Sequence, residues 1–486
     1  MLFNSLNFLY FFPVALALYF LTPQRLRWVT LVATSFFFYM CWNPKYIILL
    51  IISIVSNYFA GKLIEDAKTH SAKKVPLVVN MLFNILLLCL FKYLNFFDDN
   101  IRAIFEFIHV PYPVPEPWFN KILLPVGISF YTFHTLGYTL DVFKGVSKAE
   151  RHLGKFALFT AYWPLLLAGP IERSTTLLPQ LNYFKDFDYN RTREGFVRML
   201  MGYFKKVVIA DRLALYVEEL YNHYDVATGW TVWLGACLFV IQVYCDFSGY
   251  SDIAVGASRI MGINLLENFK RPFFAKNLAD FWTRWHISLS TWLTDYVFYY
   301  LGAYKASGSK VVFNVIFVLS ICGLWHGANW PMVLSFTTIG IMMSIRYLWQ
   351  YNVVKKIKPS NTYKLFDKLP DIFHIVVTFL MLVFGFMMFR AKDMSEATVM
   401  YKNLFKLGEA NYLYELIHYR GLENFIIGII ALVILFAVEF WTGDKFIEEV
   451  ILKKGQKTRW AFYITFLLFV VWFGMFNSSL FVYFQF

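Results

Sequence analysis

Apolar runs long enough to cross a lipid bilayer recur along the whole chain. A transmembrane helix needs about 20 predominantly apolar residues, and hydrophobic residues make up 58% of this chain while charged residues make up only 16%. A soluble core cannot use that much apolar surface. The sequence therefore predicts an all-α, polytopic membrane protein of about eleven to thirteen spans. We mark twelve runs: 6–21, 26–43, 46–63, 75–97, 122–140, 199–219, 230–250, 311–327, 330–349, 371–390, 424–441 and 461–480.

Two stretches depart from simple spans. The run 156–168 is short and interrupted by Pro164, which predicts a re-entrant segment. Residues 262–300 mix charges with Trp, Phe and Tyr at helical spacing, a pattern typical of amphipathic helices at the membrane interface. The first apolar run has neither a basic segment before it nor a cleavage-like site, so we expect it to remain as the first span.

The rest of the sequence predicts a single domain. No linker, low-complexity tract or repeat separates the runs, so we expect one membrane domain over 1–486, with its core at about 120–350 and C-terminal spans and a tail over 371–486. The cysteines lie far apart and form no C-x-x-C pair, which favours buried thiols over a disulfide framework or a zinc site. They are Cys41, Cys89, Cys237, Cys245 and Cys322.

The net charge of +13 predicts basic cytoplasmic loops beside anionic lipid rather than a nucleic-acid partner. With the spans above, the basic clusters between the runs fall on one side of the membrane, so both termini are predicted to face outward. Lys205 and Lys206 are the weak point of this assignment because they interrupt the run 199–219. The same assignment places His326 at the outward end of a short helix.

The sequence GLWHGANWP over 323–331 separates two apolar runs. Glycines on both sides of His326 permit close backbone approach and a helix break, and an ionisable group at membrane depth is a functional hypothesis by default. The alternative is a core histidine bonded to a neighbouring carbonyl. In this break, lined by glycine and by Trp325, we favour a functional histidine, with Asn329 or the backbone N–H groups near Gly327 as candidate oxyanion donors.

A second polar segment is DFWTRWHISLSTWLTDY, over 280–296. On a continuous helix, Asp280, Arg284 and Ser288 share one face, which we expect to border a cavity, while aromatic residues such as Trp285 cover much of the rest. Arg284 could hold a phosphate or a carboxylate, or it could be a solvated edge of an interfacial helix. His286 is interpreted as structural or substrate-positioning.

The segment RWHISLSTWLTDY, followed by GLWHGANW, resembles the membrane-bound O-acyltransferase (MBOAT) superfamily, in particular the bacterial branch that O-acetylates alginate and peptidoglycan. The stretches 124–145, 168–181 and 244–273 are similar to that branch as well. The resemblance implies a ring of tilted helices with re-entrant and interfacial helices around a central tunnel and funnel. It also implies that His326 is the catalytic residue and that His286 is a second important histidine. The sequence departs from many relatives in DYVFYYLGAYKASGSK, where they carry a glycine-rich, basic stretch.

The resemblance further implies the reaction. A cytoplasmic acyl thioester, acetyl-CoA, is the expected co-substrate with no bound cofactor, and His326 is expected to act as general base toward a hydroxyl of an extracytoplasmic polysaccharide. The chain is expected in the bacterial inner membrane, with an extracytoplasmic SGNH or esterase-like acetyltransferase as partner. Tyr483, in the C-terminal FVYFQF, is either an aromatic anchor or an acyl shuttle.

Two other functions are weighed against this one. A transporter or flippase for an acyl or glycan precursor fits a polytopic chain with a buried histidine, but the paired repeats that many transporters carry are absent. A metal enzyme is not expected, because the histidines lack ligand spacing such as H-x-x-x-H.

Overall fold

Helices make up all the regular secondary structure in the part of the chain that the structure describes. The structure is a computed structural model, and it describes residues 1–113, 125–302, 308–348, 369–407 and 412–476. The chain divides into two compact units. The first contains Met1–Tyr189 with Ser258–Leu265, and the second contains Asn190–Ala257 with Leu266–Phe486.

The helices of the first unit begin with α1, whose first turn is capped by the Ser5 hydroxyl accepting from the Phe8 N–H at 3.3 Å. The Thr69 hydroxyl caps α4 in the same way. The helices are α1 (Leu6–Leu21), α2 (Arg27–Met40), α3 (Ile47–Asp66), α4 (His70–Leu88), α5 (Leu94–Phe107), α6 (Ile128–Lys144), α7 (Leu153–Ala161), α8 (Trp163–Leu166) and α9 (Ser174–Gln180).

Aromatic packing and buried amides hold these helices together. The ring of Trp163 is fully buried and lies 5.6–6.0 Å, centroid to centroid, from rings of α1 and α2 such as Phe11 and Phe38. Asn57, Asn80 and Asn84 exchange side-chain hydrogen bonds across α3 and α4. Such pairs satisfy polar groups that lipid cannot.

The second unit contains α10 (Tyr189–Tyr203), α11 (Asp211–Asn222), α12 (Trp230–Ile260), α13 (Leu278–Trp282), α14 (Ile287–Leu293), α15 (Gly308–His326), α16 (Trp330–Leu348), α17 (Asp371–Phe386), α18 (Met394–Leu404), α19 (Leu413–Tyr419), α20 (Leu422–Thr442), α21 (Ile447–Ile451) and α22 (Gln456–Phe473). π-helical turns extend α4, α10 and α14, and 3-10 turns precede α2, α3 and α13 and follow α17. The π-helical turns are Cys89–Tyr93, Phe204–Ala210 and Thr294–Phe298, and the 3-10 turns are Gln24–Leu26, Pro44–Tyr46, Pro272–Phe274 and Met387–Arg390.

Within the described ranges, seven helices are long and apolar enough to cross a membrane, which confirms the all-α, polytopic fold. They are Pro44–Asp66, His70–Phe107, Trp230–Ile260, Gly308–His326, Trp330–Leu348, Asp371–Arg390 and Leu422–Thr442.

Several other runs form shorter or interrupted helices, so the exact span count remains a prediction. The run 26–43 contains the 14-residue α2, and part of 122–140 lies outside the described residues. The run 156–168 forms two short buried helices, α7 and α8, that meet at Tyr162.

The interruption of the run 199–219 has a physical explanation. A π-helical turn over Phe204–Ala210 contains Lys205 and Lys206, and both side chains are buried. The Lys205 Nζ lies 2.9 Å from Asp252 Oδ2, and the Lys206 Nζ lies 2.7 Å from Asp211 Oδ1 and 2.6 Å from Asp246 Oδ1. Pairing each ammonium with carboxylates reduces the cost of burying it.

Candidate functional site

His326 is the last residue of α15, at the tight turn that leads into α16. The expected helix break therefore lies at this histidine. A Cβ on Gly323 would lie 2.6 Å from the Met332 carbonyl oxygen, and one on Gly327 would lie 2.1 Å from Met332 Sδ. The two glycines are needed for close packing of α15 against α16, which fixes the position of His326.

The imidazole of His326 is 5% exposed and lies among aromatic rings. It stacks on Phe336 of α16 with centroids 4.8 Å apart and planes at 18°. Trp325 lies edge-on at 4.8 Å, and Phe389, in the turn after α17, lies at 5.5 Å. The ring is therefore held in place among aromatic side chains.

His286 lies at a break in the polar segment, and this corrects the prediction of one continuous helix over 280–296. The chain forms α13 and α14 as separate short helices, and His286 takes a left-handed conformation with φ of 43° between them. Such a conformation is costly for a residue with a Cβ. Asn268 holds the start of α14, because its backbone carbonyl accepts from the Ile287 N–H at 2.9 Å and its side-chain oxygen accepts from the Ser288 hydroxyl at 2.6 Å.

This break brings the two histidines together. The ring centroids of His286 and His326 lie 6.3 Å apart, and Trp325 lies 6.0 Å from His286. His286 is completely buried, and neither of its ring nitrogens has a hydrogen-bond partner in another described residue. Burial lowers the pKa of His286 to about 3, so its ring is neutral at physiological pH.

The other residues of the polar segment lie in different surroundings. Arg284 Nε donates to Asp280 Oδ1 at 2.8 Å, so the expected pairing of these two along the segment is present. Ser288 does not share their face, because the break turns it inward to Asn268. Trp285 is buried, stacked on Phe281 at 5.2 Å.

The candidate oxyanion donors already have local roles. The Asn329 side-chain oxygen accepts from the Met332 N–H at 2.9 Å and so caps α16. The Gly327 N–H donates to the Gly323 carbonyl at 3.1 Å, within the last turn of α15. The Gly327 N–H is therefore engaged within α15, whereas the bond of Asn329 uses its oxygen and not its NH₂ group.

Sequence reasoning did not identify Asn268, Phe336 or Phe389. Asn268 lies in the stretch 244–273, which resembles the family, and that position is its only signal in the sequence. Phe336 and Phe389 carry no local signal in a chain this rich in phenylalanine. Only their packing against His326 distinguishes them.

Tyr483 lies outside the described residues, and its role stays a prediction.

In the portions of the chain that the structure describes, no group of three His, Cys, Asp or Glu side chains is arranged to hold a metal ion.

Comparison with known proteins defines the family to which this chain belongs. Residues 142–391 match the MBOAT, membrane-bound O-acyltransferase family. The chain is 36% identical over 414 residues to a probable alginate O-acetylase AlgI from Azotobacter vinelandii, covering 84% of this chain and 79% of that protein. It is 31% identical over 445 residues to a peptidoglycan O-acetyltransferase from Helicobacter pylori, covering 83% and 80%. A teichoic acid D-alanyltransferase from Bacillus subtilis is 29% identical over 310 residues, covering 60% and 74%.

The chain therefore belongs to the membrane-bound O-acyltransferase family. It is a multi-pass membrane protein and an O-acyltransferase, which decides between an enzyme and the alternative of a transporter or flippase.

Proposed function

We propose that this enzyme transfers an acetyl group from a cytoplasmic thioester, acetyl-CoA, toward a hydroxyl of an extracytoplasmic polysaccharide such as alginate or peptidoglycan, with His326 as general base. The observation that carries the proposal is the buried pair formed by His286 and His326, whose rings lie 6.3 Å apart. The relatives named as alginate O-acetylases and peptidoglycan O-acetyltransferases support the acetyl group and the class of acceptor.

The chemistry needs one base and one hydrogen-bond donor. Neutral His326 takes the proton of the acceptor hydroxyl, and the oxygen attacks the thioester carbonyl carbon. The tetrahedral intermediate then breaks its C–S bond, and the departing thiolate receives the proton from the His326 imidazolium. No proton is gained or lost overall, so a buried site without a proton path suffices.

His286 suits the role of donor to the developing oxyanion. A neutral imidazole carries one N–H and one acceptor nitrogen, and neither nitrogen of His286 is engaged by another described residue. A donor held in place before the reaction needs little reorganisation when the negative charge forms.

The proposal includes a partner and an orientation. Since the acceptor is extracytoplasmic, an SGNH or esterase-like acetyltransferase outside the inner membrane completes delivery, and both termini of this chain face outward. The Tyr483 hydroxyl accepts the acetyl group and hands it on. Tyr483→Phe would then abolish transfer to the glycan with insertion intact, and full activity of that variant would remove the shuttle from the proposal.

The test of the proposed function uses the full chain reconstituted in liposomes with acetyl-CoA. His326→Ala is expected to lower the rate of thioester consumption by about 10²–10⁴-fold, the range typical of general-base catalysis. The matched control is His418→Ala, because His418 is an exposed histidine that stacks on Tyr414.

The control variant should consume the thioester at the unaltered rate. Equal rates for His326→Ala and the unaltered chain, with both proteins inserted, would overturn the proposal. Transfer of the acetyl group is followed separately by acetyl-ester analysis of the isolated glycan.

A further inference from the structure

A small pocket with both polar and apolar lining lies at one end of α20, and neither of the two histidines lines it. It encloses about 50 Å³, several times the roughly 10–15 Å³ that one water needs. Its wall comes from α10 and the π-helical turn after it, α12, the segment 269–271, the end of α20, the loop over 443–446 and the start of α21. The residues that matter below are Tyr244, Glu439, Lys270, Arg271, Asp444 and Lys445.

The inner part of the pocket offers a hydrogen-bonding carboxyl group. Glu439 is 7% exposed, and the Tyr244 hydroxyl donates to its Oε1. Its second oxygen, Oε2, is buried and has no hydrogen-bond partner among the described residues. A buried polar atom left without a partner is costly, and a ligand with an N–H or O–H group would satisfy it.

The outer rim of the pocket is basic. Lys270 and Lys445 are exposed, and the Arg271 guanidinium lies 4.3 Å over the Phe274 ring. Arg271 takes a left-handed conformation with φ of 51°, and its buried Nε has no hydrogen-bond partner among the described residues. The acidic rim residue Asp444 is exposed, with an oxygen 3.8 Å from Arg271 Nη1. Three cations and one carboxylate leave the rim positive.

The remaining charged side chains at the pocket pair with one another, and two cations facing three carboxylates leave this wall with one net negative charge. Arg198 binds Asp252, Glu267 and Glu448, and Lys205 binds Asp252. Among the buried side-chain atoms that line the pocket, the Arg271 Nε–H at the rim and the Glu439 Oε2 further in lack a hydrogen-bond partner in the described residues.

We infer that this pocket binds a phosphate ester whose phosphate meets Arg271, Lys270 and Lys445, and whose amide N–H or hydroxyl, a few atoms away, donates to Glu439. Guanidinium groups suit phosphate, and the inner carboxyl excludes a second negative charge. Two kinds of molecule have this chemistry: a coenzyme A thioester, the donor of the proposed function, and a phospholipid whose headgroup carries a hydroxyl. The first of these rests on the proposed function, and the second does not.

The experiment measures binding of free coenzyme A to the full chain in nanodiscs of phosphatidylcholine, which has no headgroup donor. Arg271→Asn is expected to weaken binding about tenfold or more, and asparagine tolerates the left-handed backbone. Glu439→Gln should also weaken binding, because its NH₂ group replaces Oε2 while its carbonyl oxygen keeps the Tyr244 bond. Asp444→Asn should tighten binding severalfold, which separates the effect from misfolding.

The matched control is Lys276→Gln. Lys276 lies close to Arg271 in the sequence, but its ammonium pairs with Asp371 at 2.7 Å and its side chain does not line the pocket. Binding of coenzyme A to this variant should equal that of the unaltered chain. His326→Ala should bind coenzyme A normally as well, so a failure of the proposed base leaves this measurement unaffected.

The lipid source is tested by replacing part of the phosphatidylcholine with phosphatidylglycerol, whose headgroup carries hydroxyls. The pocket is assigned to lipid if phosphatidylglycerol raises the thermal stability of the unaltered chain and Arg271→Asn and Glu439→Gln lose that rise. Binding of coenzyme A should then not depend on these two residues. The reverse pattern assigns it to the thioester donor. The inference is overturned if neither ligand responds to the changes at Arg271, Glu439 and Asp444.

Discussion

The side-chain oxygen of Asn268 accepts hydrogen bonds from both the hydroxyl and the backbone N–H of Ser288, at 2.6 and 3.3 Å. These bonds anchor the first turn of α14 directly after His286, whose backbone takes the left-handed conformation. Asn268 therefore maintains the break that turns the His286 ring toward His326.

Replacing Asn268 tests this positioning role. Asn268→Ala is expected to lower kcat by at least tenfold while the KM for the thioester changes little, because the reacting geometry is altered and the donor site is not. The pair Asn268→Ala and Ser288→Ala should be non-additive in kcat, since both remove the same hydrogen bond. Additive effects on kcat, or a change in KM alone, would contradict the positioning role of Asn268.

The buried imidazole of His286 predicts a pH dependence of stability. Its folded pKa of about 3 lies below the ordinary value of 6.5, so between these values the unfolded chain binds a proton that the folded chain does not. The contribution of His286 to stability is therefore complete well above pH 6.5 and is lost as the pH drops, by about 2 kcal/mol at pH 5.

Thermal unfolding in detergent between pH 4.5 and pH 8 measures this dependence (roughly the window in which histidine charge changes). His286→Gln should show a shallower loss of Tm toward acid than the unaltered chain. The exposed His418→Gln should keep the original slope. An identical slope for His286→Gln would contradict a neutral, buried His286 in the folded protein.

Lys206 is predicted to be essential for stability. Lys206→Met leaves Asp211 and Asp246 without the ammonium that lies 2.7 and 2.6 Å away, and breaking a buried ion pair costs about 3–5 kcal/mol. Lys276→Met removes an exposed pair with Asp371 and should cost under about 1 kcal/mol. Comparison of the two variants by thermal aggregation in detergent checks this, and equal stability would contradict it.

The two glycines around His326 should differ in their tolerance of alanine. A Cβ at Gly323 meets backbone, 2.6 Å from Met332 O and 2.9 Å from Val333 Cα, whereas one at Gly327 meets the flexible Met332 side chain. Gly323→Ala is expected to destabilise by about 1–3 kcal/mol and to lower activity. Adding Met332→Ala should rescue Gly327→Ala but leave Gly323→Ala impaired, as measured by Tm and thioester consumption.

Local sequence patterns predicted much of the fold. Apolar runs predicted helices because lipid requires each span to satisfy its own backbone, and seven described helices have the length and hydropathy of spans. The spacing of Asp280 and Arg284 predicted their contact, but the continuous helix through Ser288 was wrong. A periodic pattern does not contain the distant partner, Asn268, that stabilises a break at His286.

The sequence by itself determined that this chain is a membrane-spanning, helical protein with a glycine-flanked His326 and a second polar segment around His286. Only the tertiary structure decided that the two imidazoles meet, that Lys205 and Lys206 are neutralised by Asp252, Asp211 and Asp246, and that Glu439 lines a pocket with Arg271. The physical reason is that hydrophobic periodicity specifies which face of a helix is apolar but not which helix packs against it. Those neighbours follow from side-chain fit among residues far apart in the chain.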